Sequence, residues 1–151
     1  GAEKCALAKA NGFDHVIDYT STDFEAEVMR LTNGEGVNVA YDSVGNDTMA
    51  RTITSTKRRG TIIAFGQSSG PYTDFKITDL SKGSYYLSRP TLFHFVGDRS
   101  WLDTASAKLF KAVTDGTINV SINQRFALED VAKAHEALTG RATTGCTILN
   151  V

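Results

Sequence analysis

Three short segments of the chain are rich in glycine, serine, threonine and aspartate, at residues 19–22, 42–47 and 66–72. Each segment follows a run of residues that favours a β-strand. Because the carboxyl ends of parallel strands meet at one edge of a sheet, we expect these loops to lie together. Backbone N–H groups and small hydroxyl side chains suit a polar ligand, so we predict a binding site at this edge. The alternative for each loop is an ordinary turn, which favours the same residue types.

Side chains suited to acid–base, nucleophilic or metal chemistry are few and scattered. The chain has three histidines and two cysteines, with no CxxC pair. Zinc sites need clustered Cys or His ligands, so we predict no metal site. No side chain stands out as a proton donor or nucleophile, and we predict no catalytic residue. The scattered residues are His15, His94, His135, Cys5 and Cys146.

Helical and strand patterns alternate through the first 66 residues and position these loops. Strand–helix–strand units of this length predict a parallel sheet with right-handed crossovers. The apolar run at 60–65 is typical of a strand buried on both faces. The predicted helices are 2–10, 24–31 and 47–56, and the predicted strands are 15–19, 36–42 and 60–65. After residue 72 the patterns predict strands at 84–88, 121–128 and 145–151, and helices at 101–114 and 129–138.

The sheet predicted from these elements is incomplete. Nucleotide-binding sheets of this type open with a strand, a glycine-rich turn and a helix, whereas this chain has no GxGxxG and starts on a helix. In the strand order 3-2-1-4-5-6, residues 15–19 and 36–42 are strands three and four, which are not neighbours. We therefore expect a sheet with a gap, as though the chain were cut after the second strand.

Composition excludes several classes of protein. The formal net charge is −1 and hydrophobic residues make up 41% of the 151 residues, which is typical of a globular domain. The balanced charge gives no basic patch, so we predict no nucleic-acid partner. No apolar run approaches the length of a membrane helix, and no signal peptide opens the sequence. With two isolated cysteines, this predicts a cytoplasmic protein without a membrane partner.

Five short motifs occur in the order and spacing of one protein family. They are YDSVG at 41–45, RRG at 58–60, FGQSSG at 65–70, SRPTL at 88–92 and RATTG at 141–145. On these motifs the chain resembles the C-terminal half of a zeta-crystallin-like NADPH:quinone oxidoreductase, a zinc-free group of the medium-chain dehydrogenase/reductase superfamily. The resemblance implies an α/β fold: an incomplete doubly wound (Rossmann-like) parallel sheet that lacks its first strand–helix–strand unit. It also implies a C-terminal segment that belongs to the catalytic domain.

The resemblance implies NADP(H) as cofactor, held by residues at both ends of the chain. Lys4 and Arg141 match residues that meet the adenosine 2′-phosphate, and Tyr19 matches a tyrosine beside the adenosine. A lysine near a helix N-terminus and the planar guanidinium of arginine both suit a phosphate dianion. Glu3, beside Lys4, is the type of residue that binds the NAD ribose, so NADH stays the alternative cofactor.

The strand-end loops supply the other residues that the resemblance implies. Ser43 matches the turn near the adenine and its ribose. The turn that approaches the nicotinamide ribose is matched by Phe65, Gly66, Gln67 and Ser68, where glycine allows a close approach of the backbone to the ligand. The loop whose main chain binds the nicotinamide carboxamide is matched by Pro90, Thr91 and Leu92.

The reaction implied by the resemblance is the transfer of reducing equivalents from NADPH to a quinone. Residues 1–120 form a partial dinucleotide-binding domain, and 121–151 return to a catalytic domain whose remainder is absent. We therefore expect weak or no NADPH binding and no appreciable turnover from the chain by itself. The alternatives are an enoyl or alkenal reductase of the same superfamily, and a non-enzymatic binding or assembly module. The family also implies a homodimer through the strand at 84–88, for which the alternative is an ordinary final strand.

Overall fold

The computed structural model describes all 151 residues, and they divide into two compact units, Gly1–Leu92 and Phe93–Val151. Every pair of neighbouring strands in both units runs parallel. This confirms the predicted α/β class with parallel sheets. The division of the chain into a cofactor part (1–120) and a returning segment (121–151) concerns a longer protein and stays a prediction.

The first unit contains a three-stranded sheet with helices between its strands. The strand order is β1-β2-β3, with Ile62 of β2 fully buried at its centre. Around Ile62 lie Met49, Ile53 and Ala64, with Tyr72, Phe75, Tyr85 and Leu87 packed against them. Its elements are α1 (Ala2–Ala10), α2 (Phe24–Leu31), β1 (Val37–Asp42), α3 (Met49–Thr54), β2 (Thr56–Ala64), a 3-10 helix (Ile77–Lys82) and β3 (Tyr86–Ser88).

Local sequence explains most of these boundaries. Asp23 caps α2, because its side chain accepts hydrogen bonds from the Glu25 and Ala26 amides. α3 is shorter than the predicted helix at 47–56, and β2 begins four residues earlier than the predicted strand. The extra length of β2 includes an irregularity: Val37 pairs with Thr56, but Val39 pairs with Thr61.

The strand predicted at 15–19 is wrong for this chain. These residues form no hydrogen-bonded strand, and β1 pairs only with β2. A strand needs a partner to satisfy its backbone donors and acceptors. In the strand order 3-2-1-4, the partner of this segment is strand two, for which the chain has no counterpart.

The second unit pairs two strands across a helix. β4 (Ile122–Ala127) and β5 (Cys146–Asn150) run parallel, as a strand–helix–strand crossover requires. The remaining elements are α4 (Phe93–Val96), α5 (Arg99–Thr114), a 3-10 turn (Leu128–Asp130) and α6 (Val131–Thr139). Asp98 caps α5 by accepting from the Ser100 and Trp101 amides. α4 was not predicted, and no helix of either unit has the length and hydropathy to cross a membrane.

Candidate functional site

The loops that leave the carboxyl ends of β1 and β2 are joined by hydrogen bonds. The Ser69 amide donates to the Val44 carbonyl at 2.8 Å, and the Ser69 hydroxyl donates to the same oxygen at 2.7 Å. The Ser68 amide donates to the Ser43 carbonyl at 3.2 Å, and the Asn46 amide to the Gly70 carbonyl at 3.0 Å. Two of the three predicted polar loops therefore form one continuous surface at the sheet edge.

Two glycines allow these loops to approach so closely. A Cβ atom on Gly45 would lie 2.5 Å from the Gly70 carbonyl oxygen, and Gly45 also has a positive φ of 89°. A Cβ atom on Gly66 would lie 2.5 Å from the Ser43 carbonyl oxygen. Gly66 was predicted to let the backbone approach a ligand; the contact it permits in the structure is between two loops. Its approach to a ligand stays a prediction.

Asp42, the last residue of β1, has a buried carboxylate that is 4% exposed. One oxygen, Oδ1, accepts from the Val44 and Gly45 amides, both at 2.9 Å. The other, Oδ2, accepts from the Thr48 hydroxyl at 2.8 Å and the Thr52 hydroxyl at 2.7 Å. Thr48 and Thr52 are four residues apart, so they face the carboxylate from one side of the α3 segment. The carboxylate therefore joins the start of α3 to the loop after β1.

These contacts determine the charge state of Asp42. Burial raises the pKa of its carboxyl, but the hydrogen bonds from the Gly45 amide, the Thr52 and Thr48 hydroxyls and the Val44 amide outweigh burial and lower the pKa below its ordinary value. The carboxylate is therefore charged at neutral pH. A charged carboxylate only accepts hydrogen bonds, which matches the four donors around it.

Tyr19 and Ser43, both predicted on the adenosine side, line one cavity of about 290 Å³. Its walls combine aromatic rings with hydroxyl groups, which suits a flat heterocycle that carries a sugar. Asp42, Thr48 and Thr52 also line this cavity. The other lining residues are His15, Ile17, Phe24, Tyr41 and Val44.

Gly66 and Gln67 line a second, more apolar cavity of about 310 Å³. Met49, Tyr72 and Phe75 supply apolar walls, and Arg89 is a charged residue in its lining. Gly66 and Gln67 therefore line a different cavity from the one lined by Tyr19 and Ser43. The remaining lining residues are Gly45, Ala64, Pro71 and Leu87.

The other predicted residues of the first unit lie at the strand ends. Phe65 follows β2, is 52% exposed and contacts Tyr41 edge to face, with ring centroids 6.4 Å apart. Ser68 is exposed and tied to Ser43. The predicted carboxamide loop follows β3. Pro90 and Thr91 are half-buried there, and Leu92 is exposed.

Lys4 and Arg141, the predicted phosphate residues, belong to different units. Lys4 lies in the first turn of α1 and is exposed. Arg141 follows α6 and has a positive φ of 57°, a conformation that non-glycine residues adopt at a cost. Its amide donates to the Leu138 carbonyl at 3.1 Å, which ends the helix. Both contacts to a phosphate stay predictions.

Sequence reasoning missed the Asp42–Thr48–Thr52 network. The signal was present as an aspartate at a strand end followed by two threonines four residues apart. It also missed the aromatic walls of the second cavity, since Tyr72 and Phe75 lie in a segment without regular patterning. The structure contains no group of three or more His, Cys, Asp or Glu side chains that could hold a metal ion.

The fold is that of an α/β protein with parallel sheets, and comparison with known proteins assigns its family. The family model described as zinc-binding dehydrogenase matches residues 11–149. The chain therefore belongs to that family, although the 151 residues contain no ligand set for zinc. A quinone oxidoreductase of Pseudomonas aeruginosa is 40% identical over 148 residues, which cover 97% of this chain and 46% of that protein.

Two further relatives agree with this assignment. A 2-haloacrylate reductase of a Burkholderia species is 37% identical over 97% of this chain and 45% of its own length. The crystal structure of Escherichia coli quinone oxidoreductase complexed with NADPH matches all of this chain and 47% of its own, with a TM-score of 0.94 and 37% identity. The chain thus spans about half the length of these relatives, which confirms the predicted Rossmann-like fragment and its resemblance to quinone oxidoreductases.

Proposed function

We propose that the chain is the cofactor-binding part of an oxidoreductase that transfers reducing equivalents from NADPH to a quinone. The observation that carries this proposal is the match along the whole chain to quinone oxidoreductases, including one solved with NADPH. The cavity that joins Tyr19 to Ser43 supports it, because its aromatic and hydroxyl lining fits an adenosine.

Each predicted residue has a defined task in this proposal. Tyr19 and Ser43 hold the adenosine, while Lys4 and Arg141 bind its 2′-phosphate as charged donors. Phe65, Gly66, Gln67 and Ser68 border the nicotinamide ribose, and the main chain of Pro90, Thr91 and Leu92 fixes the carboxamide. The nicotinamide would supply the hydride when bound. These residues orient the cofactor and exclude water, and they perform no proton transfer themselves.

The chain alone is proposed to be inactive. It has no glycine-rich strand–helix turn to bind the pyrophosphate, and it spans about half the length of its relatives. In the natural-length protein, residues 1–120 form part of the cofactor domain and 121–151 return to the catalytic domain. We further propose a cytoplasmic homodimer without nucleic-acid or membrane partners, and the two unpaired cysteines fit a reducing compartment.

A related reductase of activated alkenes is the second candidate. The similarity to a 2-haloacrylate reductase favours it, at an identity close to that of the quinone oxidoreductases. Both candidates use the same cofactor half, so acceptor choice depends on residues outside this chain.

Steady-state assays of the natural-length protein test both candidates. NADPH oxidation is followed with 1,4-benzoquinone and with 2-chloroacrylate, and faster turnover with the quinone is expected. Replacement of Lys4 by alanine should reduce the preference for NADPH over NADH by about tenfold or more, because a charged contact to phosphate is lost. Lys9→Ala, at the other end of α1, is the control and should leave this preference unchanged. Absence of NADPH-dependent reduction of either acceptor contradicts the proposal.

A further inference from the structure

We infer that Asp42 is a positioning residue for the cofactor: its buried carboxylate fixes the loop that presents Ser43 and Val44 to the cavity shared with Tyr19. This inference rests on the proposed function, because it concerns the adenosine end of the same site. No cofactor contact is assigned to Asp42 itself.

Asp42 connects the loop after β1 to α3. Its Oδ1 holds the backbone amides of Val44 and Gly45, the residues directly after Ser43. Its Oδ2 holds the hydroxyls of Thr48 and Thr52, at and within the start of α3. One side chain therefore ties the loop to a helix that is anchored in the core through Met49 and Ile53.

The loop that Asp42 holds reaches the proposed adenosine cavity. Ser43 and Val44 line the cavity of about 290 Å³ together with Tyr19. The Ser43 and Val44 carbonyls accept hydrogen bonds from the Ser68 and Ser69 amides of the neighbouring loop. The loop is thus held on two sides, by Asp42 through its amides and by the second loop through its carbonyls. Release of the amides would leave the loop held only through its carbonyls and the Ser43 side chain less firmly directed into the cavity.

The Asp42 carboxylate acts by positioning this loop and not by contacting a ligand. The carboxylate is 4% exposed, and both of its oxygens are satisfied by groups of the protein. A carboxylate in this environment has no unused lone pair to direct to a ligand. Its effect on a ligand must pass through the loop.

The test uses the natural-length protein and changes the donors rather than Asp42. Thr52→Val keeps the shape of the side chain and removes one hydrogen bond to the carboxylate. Thr52→Ser keeps the hydroxyl and serves as the rescue variant. Thr54→Val is the matched control, because Thr54 lies on the same helix and its exposed hydroxyl donates only to α3 carbonyls, those of Ala50 and Arg51. Two quantities are measured on each folded protein: the Kd for NADPH and the hydrogen exchange of the Val44 and Gly45 amides.

We expect Thr52→Val to accelerate exchange of both amides and to raise the NADPH Kd by about tenfold. Thr52→Ser and Thr54→Val should match the parent protein in both measurements. Faster exchange in Thr52→Val with an unchanged Kd overturns the inference, since Asp42 then serves stability alone. A parent protein that binds no NADPH overturns the proposed function, and the inference falls with it.

Discussion

Asp42 shows at the scale of one residue how the site depends on a long-range network. Sequence patterning located the polar loop after β1, because turn-forming residues cluster there. It did not reveal that Asp42, at the end of the strand, is buried and accepts four hydrogen bonds. Such a network depends on which side chains the fold brings together, and Thr52 lies ten positions away in the sequence.

The lowered pKa of Asp42 predicts a dependence of stability on pH. A carboxyl whose pKa is lower in the folded than in the unfolded state stabilises the fold above the unfolded pKa, about 3.9 for aspartate, and loses this effect as pH falls through the folded value. Asp42→Asn cannot titrate, so its free energy of unfolding should lie below that of the parent at neutral pH and approach it in acid. Urea unfolding of both proteins from neutral pH into acid measures this.

Asp14→Asn is the control for this comparison, because the Asp14 side chain is exposed. Its unfolding free energy should follow that of the parent protein at every pH. If the Asp42→Asn curve runs parallel to the parent curve instead of approaching it in acid, the carboxylate contributes no pH-dependent stability.

Gly45 gives a second prediction at the residue scale. Gly45→Ala places a Cβ atom 2.5 Å from the Gly70 carbonyl oxygen and also strains a φ of 89°. Gly34→Ala imposes the same kind of strain, at φ 83°, with no atom within 4 Å of the new Cβ. We expect Gly34→Ala to cost about 1 kcal/mol of unfolding free energy and Gly45→Ala to cost about 1–3 kcal/mol more. Equal losses in chemical denaturation contradict the close packing of the two loops.

At the scale of elements, patterning succeeded where a segment carries its own signals. α1 matches its prediction at 2–10 because its residues are strong helix formers, and β1 and α5 lie close to their predicted ranges. The segment at 15–19 has equally good strand residues and forms no strand, since β structure requires a neighbour that local sequence does not supply. The 3-10 helix at Ile77–Lys82 and α4 are short elements without a periodic pattern.

β3 provides the prediction at this scale. It pairs on one side with β2 through Tyr86, Leu87 and Ser88, and it is the last strand of its sheet. Tyr86 is 61% exposed, which suits a strand edge that a second copy extends. Tyr86→Pro in the natural-length protein should halve the mass in solution, whereas Tyr86→Val should leave it unchanged because Val keeps the amide and favours strands.

Light scattering after size exclusion measures the mass, and circular dichroism checks that the proline variant is folded. A folded Tyr86→Pro protein with the mass of the parent means that the edge does not carry the dimer.

At the scale of the whole molecule, the chain is a family member that spans about half of its relatives' length. Two large apolar side chains at the strand ends are open to solvent, with Tyr41 at 74% and Leu92 at 67% exposure. Sequence motifs identified the family because five different motifs are spread along the chain in the family's order and spacing. They could not determine the acceptor, since a quinone oxidoreductase and a 2-haloacrylate reductase match the chain at similar identity.

These residues are proposed to hold the cofactor only together with the rest of a reductase of full length. The measurement is an NADPH titration, by calorimetry, of the 151-residue chain beside the natural-length protein, after intact mass has established each length. We expect micromolar binding by a natural-length protein of about 35 kDa, in line with a two-domain chain, and weak or no binding by the 16.3 kDa chain. Equally tight binding by the 16.3 kDa chain would contradict this account, because the missing glycine-rich turn would then be dispensable.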